Sequence, residues 1–358
     1  MQAILKLADG SEHTGESFGY ESGISGEVVF STGMVGYPES LTDPSYIGQI
    51  LILSYPLVGS YGVPPQKYWE SGHLQISALI VSDYIDTPSH YHSQMTLSSW
   101  LKKEHIPALE IKDTRFLVKK IREKGAMLGK ILFQKDDDAK INFYDPNKEN
   151  LIIQASPKTV TQEGKGKKTV VLIDCGGKRN LNRNLLERKI KIITIPWDYD
   201  PFNPPAPSNS GPAGGFPKFD ALIISNGPGD PKFATKTIQT TKKALENNVP
   251  TFGVCLGHQI LSLAAGGDTY KLKYGHRGQN QPCVLEGTKK CYLTTQNHGF
   301  AVGKVPNGFR TWFTNANDQT NEGIIHKKYP FMSVQFHPEV TPGPIDTEWV
   351  LDYFLDKI

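Results

Sequence analysis

Residues 250–267 read PTFGVCLGHQILSLAAGG, and this stretch decides how the second half of the chain is read. Thr251–Val254 has the apolar character of a short buried strand and runs without a spacer into Cys255. From Leu256 to Ala265 the apolar residues recur at helical spacing. Gly253 and Gly257 flank the cysteine, two residues away on each side. A strand that turns abruptly into a helix brings backbone so close to its flanking positions that a Cβ would collide, so small residues are needed there. The apical side chain is then exposed at the sheet edge and at a helix N-terminus. Its N–H groups and dipole favour a thiolate, and the N–H of Leu256 points toward where an oxyanion would form. The G-x-C-x-G pattern marks Cys255 as a candidate nucleophile, although a free cysteine by itself is more often a small buried residue.

Outward from this elbow the same rhythm continues. Thr169–Asp174, Ile190–Ile195 and Ala221–Ser225 read as strands, and Asn180–Arg188 and Ala234–Asn247 as helices. Unbroken apolar strands alternating with helices predict an α/β unit. Its mostly parallel sheet is covered on both faces, with ligands at the carboxyl ends of the strands. Near the C-terminus, residues 331–344 read FMSVQFHPEVTPGP. Phe331–Phe336 is a strand, His337 ends it, and Glu339 follows two residues later. In extended chain the two side chains share a face, so Glu339 can orient one imidazole nitrogen while the other meets a thiol.

The first half is different. Ala3–Leu7, Glu27–Thr32, Gln49–Ser54 and Leu74–Ser82 have strand character between Gly, Pro and Asp turns. Helical spacing occurs at Thr96–Lys103 and Thr114–Lys124. This mixture predicts an α+β domain over 1–155. A polar linker is expected at 156–168 and the α/β domain over 169–358. The proline-rich stretch 201–217 suits neither a helix nor a central strand and reads as a surface loop.

The chain has 358 residues, enough for two domains with their own cores, and 38% of them are hydrophobic. Its net charge of +3 and lack of a basic block argue against a nucleic-acid partner. No apolar run is long enough to span a membrane, and the N-terminal residues do not read as a signal peptide. Cys175, Cys255, Cys283 and Cys291 form no CxxC pair, which fits free thiols in a reducing, cytoplasmic setting and no metal site.

FGVCLGHQ followed by QFHPE resembles the class I, triad-type glutamine amidotransferases. SNGPGDP at 225–231 is similar to that family's oxyanion loop. QNHGFAV at 296–302, RGQNQP at 277–282 and DCGGKRNLNR at 174–183 resemble the small subunit of carbamoyl-phosphate synthetase. So does GEVVFSTGMVGYPESLTDPSYIGQILILSYPLVGSYG at 26–62. The resemblance implies a Cys255, His337 and Glu339 triad that hydrolyses L-glutamine through a thioester. It places glutamine-binding positions at Ser45, Gly227, Gly229, Leu256, Gln259, Asn297, Gly299 and Phe300. Ser45 would come from the other domain.

The chain has neither a GxxxxGK[ST] loop nor a G-x-G-x-x-G after a strand. The resemblance therefore implies that ATP and Mg bind a synthetase component, either a large subunit or a fused domain, and that ammonia reaches it through a tunnel. No cofactor is expected on this chain. Another cysteine amidase and a non-catalytic activating scaffold are the alternatives, and the residues leave open arginine or pyrimidine synthesis as the destination.

Overall fold

The computed structural model describes residues 1–204 and 216–358, which form two compact units. The first comprises Met1–Glu149 with Lys273–Gly278, the second Asn150–Leu272 with Gln279–Ile358. Residues 205–215, within the proline-rich stretch expected as a loop, lie outside the described residues.

The first unit contains β1 (Gln2–Leu7), β2 (Glu12–Ser17), β3 (Ile24–Ser31), α1 (Tyr37–Leu41), β4 (Gln49–Leu53), β5 (Ala78–Val81), α2 (Leu97–Lys103), β6 (Ala108–Glu110), α3 (Thr114–Lys124) and β7 (Met127–Phe133). The strands close a barrel in the order β1-β2-β6-β5-β4-β3-β7. Parallel pairs join β3, β4, β5 and β6, and antiparallel pairs complete the circuit. β4 shows how the sequence builds it. Its QILIL alternates sides, so Ile50 and Ile52 join Leu5, Val28, Ile80 and Ile131 in one cluster. Side chains from β1, β3, β4, β5, β6 and β7 meet in this cluster, and α3 adds Leu117 and Ile121 to it. Leu51 and Leu53 face the other way and pack with Leu41 of α1 and Leu97 and Trp100 of α2. The expected strands and helices form. Barrel closure, with β2 and β7 as partners of β1, goes beyond what the strand signals in the sequence predict.

The second unit contains α4 (Ile152–Ala155), β8 (Thr161–Glu163), β9 (Thr169–Asp174), α5 (Arg179–Glu187), β10 (Lys191–Pro196), β11 (Ala221–Ile224), α6 (Thr235–Glu246), β12 (Thr251–Val254), α7 (Leu256–Ala264), β13 (Asp268–Leu285, apart from its Lys273–Gly278, which belongs to the first unit), β14 (Cys291–Lys304), β15 (Phe309–Asn315), β16 (Asn321–His326), β17 (Phe331–Val334) and α8 (Trp349–Leu355). The ten-stranded order is β14-β13-β15-β16-β17-β12-β11-β9-β10-β8. β10, β9, β11, β12 and β17 are the parallel core. β16 and β15 extend it antiparallel on one side, and β8 pairs antiparallel with β10 on the other. Both faces of the core are covered, as its apolar runs require. Leu172, Ile223 and Val254 pack with Leu181, Leu185 and Phe354 on one face. Val171, Ile224 and Leu222 pack with Ile260, Leu261 and Ala244 on the other.

The boundary between the units falls after Glu149. Residues 156–168, expected as a linker, instead supply β8 to the second sheet. Backbone pairing to β10 satisfies polar TQE, which has no apolar side chain to announce a strand.

Phe354 is fully buried and stacks on Phe252, with ring centroids 5.1 Å apart. Replacing it by alanine is expected to lower stability by about 3–5 kcal/mol. Leu293→Ala, at a side chain 47% exposed, should stay within about 0.5 kcal/mol. Urea unfolding followed by tryptophan fluorescence measures both.

Candidate active site

The elbow forms as its glycines require. Cys255 has φ 54° and ψ −102°, between the end of β12 and the first turn of α7. A Cβ on Gly253 would lie 2.3 Å from the Gly257 carbonyl oxygen, and one on Gly257 would lie 2.2 Å from the Ile224 oxygen. A non-glycine residue held in such a conformation costs on the order of 1–3 kcal/mol, so surrounding bonds must enforce it. The Cys255 N–H donates to the Val334 carbonyl of β17 at 2.8 Å, and its own carbonyl accepts from His258 at 3.0 Å. Cys255 is 2% exposed. Its sulfur lies 3.7 Å from the Asn297 carbonyl oxygen and 3.6 Å from Nε2 of Gln335.

β17 is the parallel neighbour of β12, so the chain leaving it passes the elbow. His337 Nδ1 meets Glu339 Oε1 at 2.7 Å, and both residues are buried. The pair forms through a turn, closed by the Val340 N–H to the His337 carbonyl at 3.2 Å, and not through the extended backbone expected. Asn184 of α5 donates to the Glu339 carbonyl at 3.3 Å, and Asn180 donates to it as well. The Lys178 ammonium lies 3.4 Å from Glu339 Oε1 and donates to the Val340 carbonyl at 2.6 Å.

These charges set one another. Burial pushes the His337 imidazole down, but the Glu339 carboxylate pulls it up further, against the opposing charge of Lys178. The Cys255 thiol also favours the protonated ring, and the net shift is upward. Nε2 of His337 makes no hydrogen bond in this conformation among the described residues, which leaves it available for proton transfer. Burial pushes Glu339 up, and His337 and Lys178 together hold it down to about 2.

The loop after β11 carries two further expected residues. A Cβ on Gly227 would lie 2.3 Å from the Cys175 carbonyl oxygen, and Gly229 has φ +85°. Leu256 opens α7 and is buried. Gln259 is one turn further on. Its Nε2 donates to the Phe300 carbonyl at 2.7 Å and to Gln335 Oε1 at 3.0 Å, so both amide hydrogens are engaged within the protein. Asn297, Gly299 and Phe300 lie along β14. Ser45 lies in the first unit, in the short helical turn Pro44–Tyr46, where its N–H donates to Asp43 Oδ1 at 2.9 Å. Direct contacts in the second unit thus join Asn297, Cys255, Gln335, Gln259 and Phe300 in one set and His337, Glu339 and Lys178 in another, and the Cys255 thiol acts on the His337 ring.

The sequence by itself gives no sign of the roles of Lys178, Asn180, Asn184 or Gln335. Lys178 and Asn180 lie inside DCGGKRNLNR and Gln335 inside QFHPE, where spacing points to a strand, a helix, His337 and Glu339 but gives these three side chains no role.

Residues 171–357 match the family model described as glutamine amidotransferase class-I. Residues 5–131 match that described as carbamoyl-phosphate synthase small chain, CPSase domain. Multifunctional protein CAD of Squalus acanthias is 49% identical over 369 residues, covering 99% of this chain and 16% of that protein. Multifunctional protein ura1 of Schizosaccharomyces pombe is 43% identical, with 99% and 17% covered. Carbamoyl-phosphate synthase (ammonia), mitochondrial, of Homo sapiens is 44% identical, with 99% and 24% covered. The chain therefore spans less than a quarter of the length of these relatives.

The charge pattern makes a testable statement about pH. The raised His337 value stabilises the fold fully below its ordinary value of 6.5, and this contribution is lost as pH rises through the folded value. The lowered Glu339 value stabilises fully above 4.5, and this is lost as pH falls toward about 2. Both contributions are complete between pH 4.5 and 6.5. In Glu339→Gln the partner that raises His337 is gone and burial dominates, so its imidazole should titrate below 6.5 in an NMR titration, against above 6.5 in the parent. Equal midpoints would refute the pairing.

Proposed function

Because the chain belongs to the glutamine amidotransferase class-I family, we propose that it is the glutamine-hydrolysing component of a carbamoyl-phosphate synthetase. The observation that carries the reading is the strained Cys255 at a helix N-terminus beside a buried His337–Glu339 pair. A backbone of this shape is costly and serves to present a nucleophile.

In the proposed course, the Cys255 proton resides on His337 and the thiolate attacks Cδ of the glutamine side chain. An S–C bond forms while the carbonyl electrons move onto oxygen. The oxyanion lies against the N–H of Leu256 and the loop at Gly229. Collapse breaks the C–N bond, and protonated His337 gives its proton to the departing ammonia. Water then loses a proton to His337 and attacks the thioester, releasing glutamate and restoring the thiolate. Glu339 holds the imidazole in place and keeps it basic, and Lys178 keeps Glu339 ionised.

Glutamine binding is proposed for Gly227, Gly229, Leu256, Gln259, Asn297, Gly299 and Phe300 of the second unit, and a role for Ser45 rests on the resemblance alone. Since both Gln259 amide hydrogens are engaged, it serves glutamine as an acceptor only. Ammonia passes to a synthetase component, as a large subunit or fused domain, that binds ATP and Mg and uses bicarbonate. The Carbamoyl-phosphate synthase small chain match over 5–131 and the multifunctional relatives support such a partner. Among the described residues no helix is long and apolar enough to cross a membrane, and a cytoplasmic setting is proposed.

The human relative is named for ammonia, which makes a scaffold that hydrolyses no glutamine the second reading. The intact Cys255, His337 and Glu339 favour catalysis. Glutamate release by the full chain separates the two readings. Cys255→Ser should reduce release to background. His337→Asn should lower kcat by roughly 10²–10⁴-fold with KM changed only a few-fold, because His337 moves protons and does not hold substrate. Parallel losses in kcat and KM would assign His337 to binding, and release unaffected by Cys255→Ser would rule out the thioester.

A further inference from the structure

We infer that the side-chain amide of Gln335 is the donor that holds the Cys255 sulfur as a thiolate, and that Gln259 and the Phe300 carbonyl fix its orientation for that task. The inference rests on Cys255 being the nucleophile and adds a residue to that site.

The argument is one of donors and acceptors. An amide side chain can face either way, and only its partners decide which end points where. Gln259 lies 2.7 Å from the Phe300 carbonyl oxygen. A carbonyl can only accept, so the nitrogen end of Gln259 must face it. That nitrogen also meets Gln335 at 3.0 Å. Its second hydrogen requires an acceptor there, so Gln335 presents Oε1 to Gln259 and turns Nε2 toward the sulfur, 3.6 Å away. Rotating either amide would set donor against donor or oxygen against oxygen. Gln335 is fully buried and Gln259 is 2% exposed, so water does not replace a lost partner. His298 Nδ1 lies 2.8 Å from the same Phe300 oxygen and helps to fix it.

The sulfur therefore has two polar neighbours of opposite kind. The Asn297 carbonyl at 3.7 Å accepts from the thiol S–H and repels a thiolate. The Gln335 N–H attracts a thiolate and gains little from a thiol, since a hydrogen bond to a charged group is the stronger. His337 is the titratable neighbour from the segment after β17. On α7, His258 has its Nδ1 engaged by Ser333 Oγ at 2.9 Å. Glu339 and Lys178 act on the sulfur through His337.

The test reads the thiolate directly. The full chain is alkylated with iodoacetamide across a pH series without glutamine, and modification of Cys255 is followed by mass spectrometry. Gln335→Met keeps the length and removes the donor. Its alkylation midpoint should rise by about one pH unit, with roughly tenfold slower alkylation below the midpoint and a high-pH plateau within about twofold. With glutamine, kcat should fall about tenfold and KM should stay within about threefold. Gln335→Glu keeps the acceptor for Gln259 and should shift the midpoint further in the same direction. Gln259→Met, which frees Gln335 to turn, should shift it less, and the double variant no more than Gln335→Met alone. An unmoved midpoint in either Gln335 variant that still unfolds cooperatively overturns the inference. A shifted midpoint in a chain that releases no glutamate would refute the glutamine reading and leave this one standing. Normal glutamate release with an unmoved midpoint would refute this one alone.

Discussion

The site depends on one steric constraint, the passage of backbone oxygens where the Cβ atoms of Gly253 and Gly257 would be. The Ile224 oxygen comes from β11 and the bond to the Cys255 N–H comes from Val334 of β17, so both neighbours of β12 grip the turn. The register is shared: Ile224 stands opposite Gly253, and Val254 opposite Val334. The segments leaving those two strands are SNGPGDP and QFHPE. The same alignment that lets the chain kink thus brings the glycine loop and the histidine to one end of the sheet. A slip of one residue would turn every side chain to the opposite face and separate them.

The second constraint is electrostatic. Lys178, His337 and Glu339 are each no more than 2% exposed. Buried ions are costly unless closely paired, and removing one partner of such a set is worse than never having buried it. Here the carboxylate sits between two cations, with its backbone held by Asn180 and Asn184. A thiolate at Cys255 would give two charges of each sign, so the cluster is arranged to favour a negative sulfur. The amide of Gln335 adds to the same bias by a neutral route.

Much of this was legible in the amino acids. TVVLID, TFGV and the segment around Ala221 show their parallel, doubly covered strands because nothing polar interrupts them. α3 begins at a capping Asp113 and ends at Gly125 with φ 102°, as local rules require. Cys255 could be picked out because its flanking glycines give a backbone reason, and His337 and Glu339 by their spacing at a strand end, although a turn and not extended chain brings that pair together. The rest depends on contacts that spacing cannot encode. β2, EHTGES, is too polar to announce itself and is a strand only because β1 and β6 pair with it. The antiparallel strands β13–β16 follow no alternation with helices, so the βαβ pattern that located their neighbours passed over them. Lys178 looks in sequence like any surface lysine, and only the fold reveals that it lies against Glu339.

The barrel of the first unit closes where Ala3 pairs with Phe133 and Leu7 with Gly129. This seam joins the first strand of the unit to its last, so a growing polypeptide cannot complete it until β7 has left the ribosome. The parallel pairs β3–β4 and β4–β5 likewise join segments separated by long crossovers. Loop-closure entropy must be met before such pairings stabilise anything, which makes the unit a high-contact-order, slow-forming body. Until closure, β1 and β7 expose unpaired edges of apolar residues, the surface on which nascent chains associate wrongly. Once closed, the barrel has no free edge, so the step that limits its assembly is also the one that ends its exposure to aggregation.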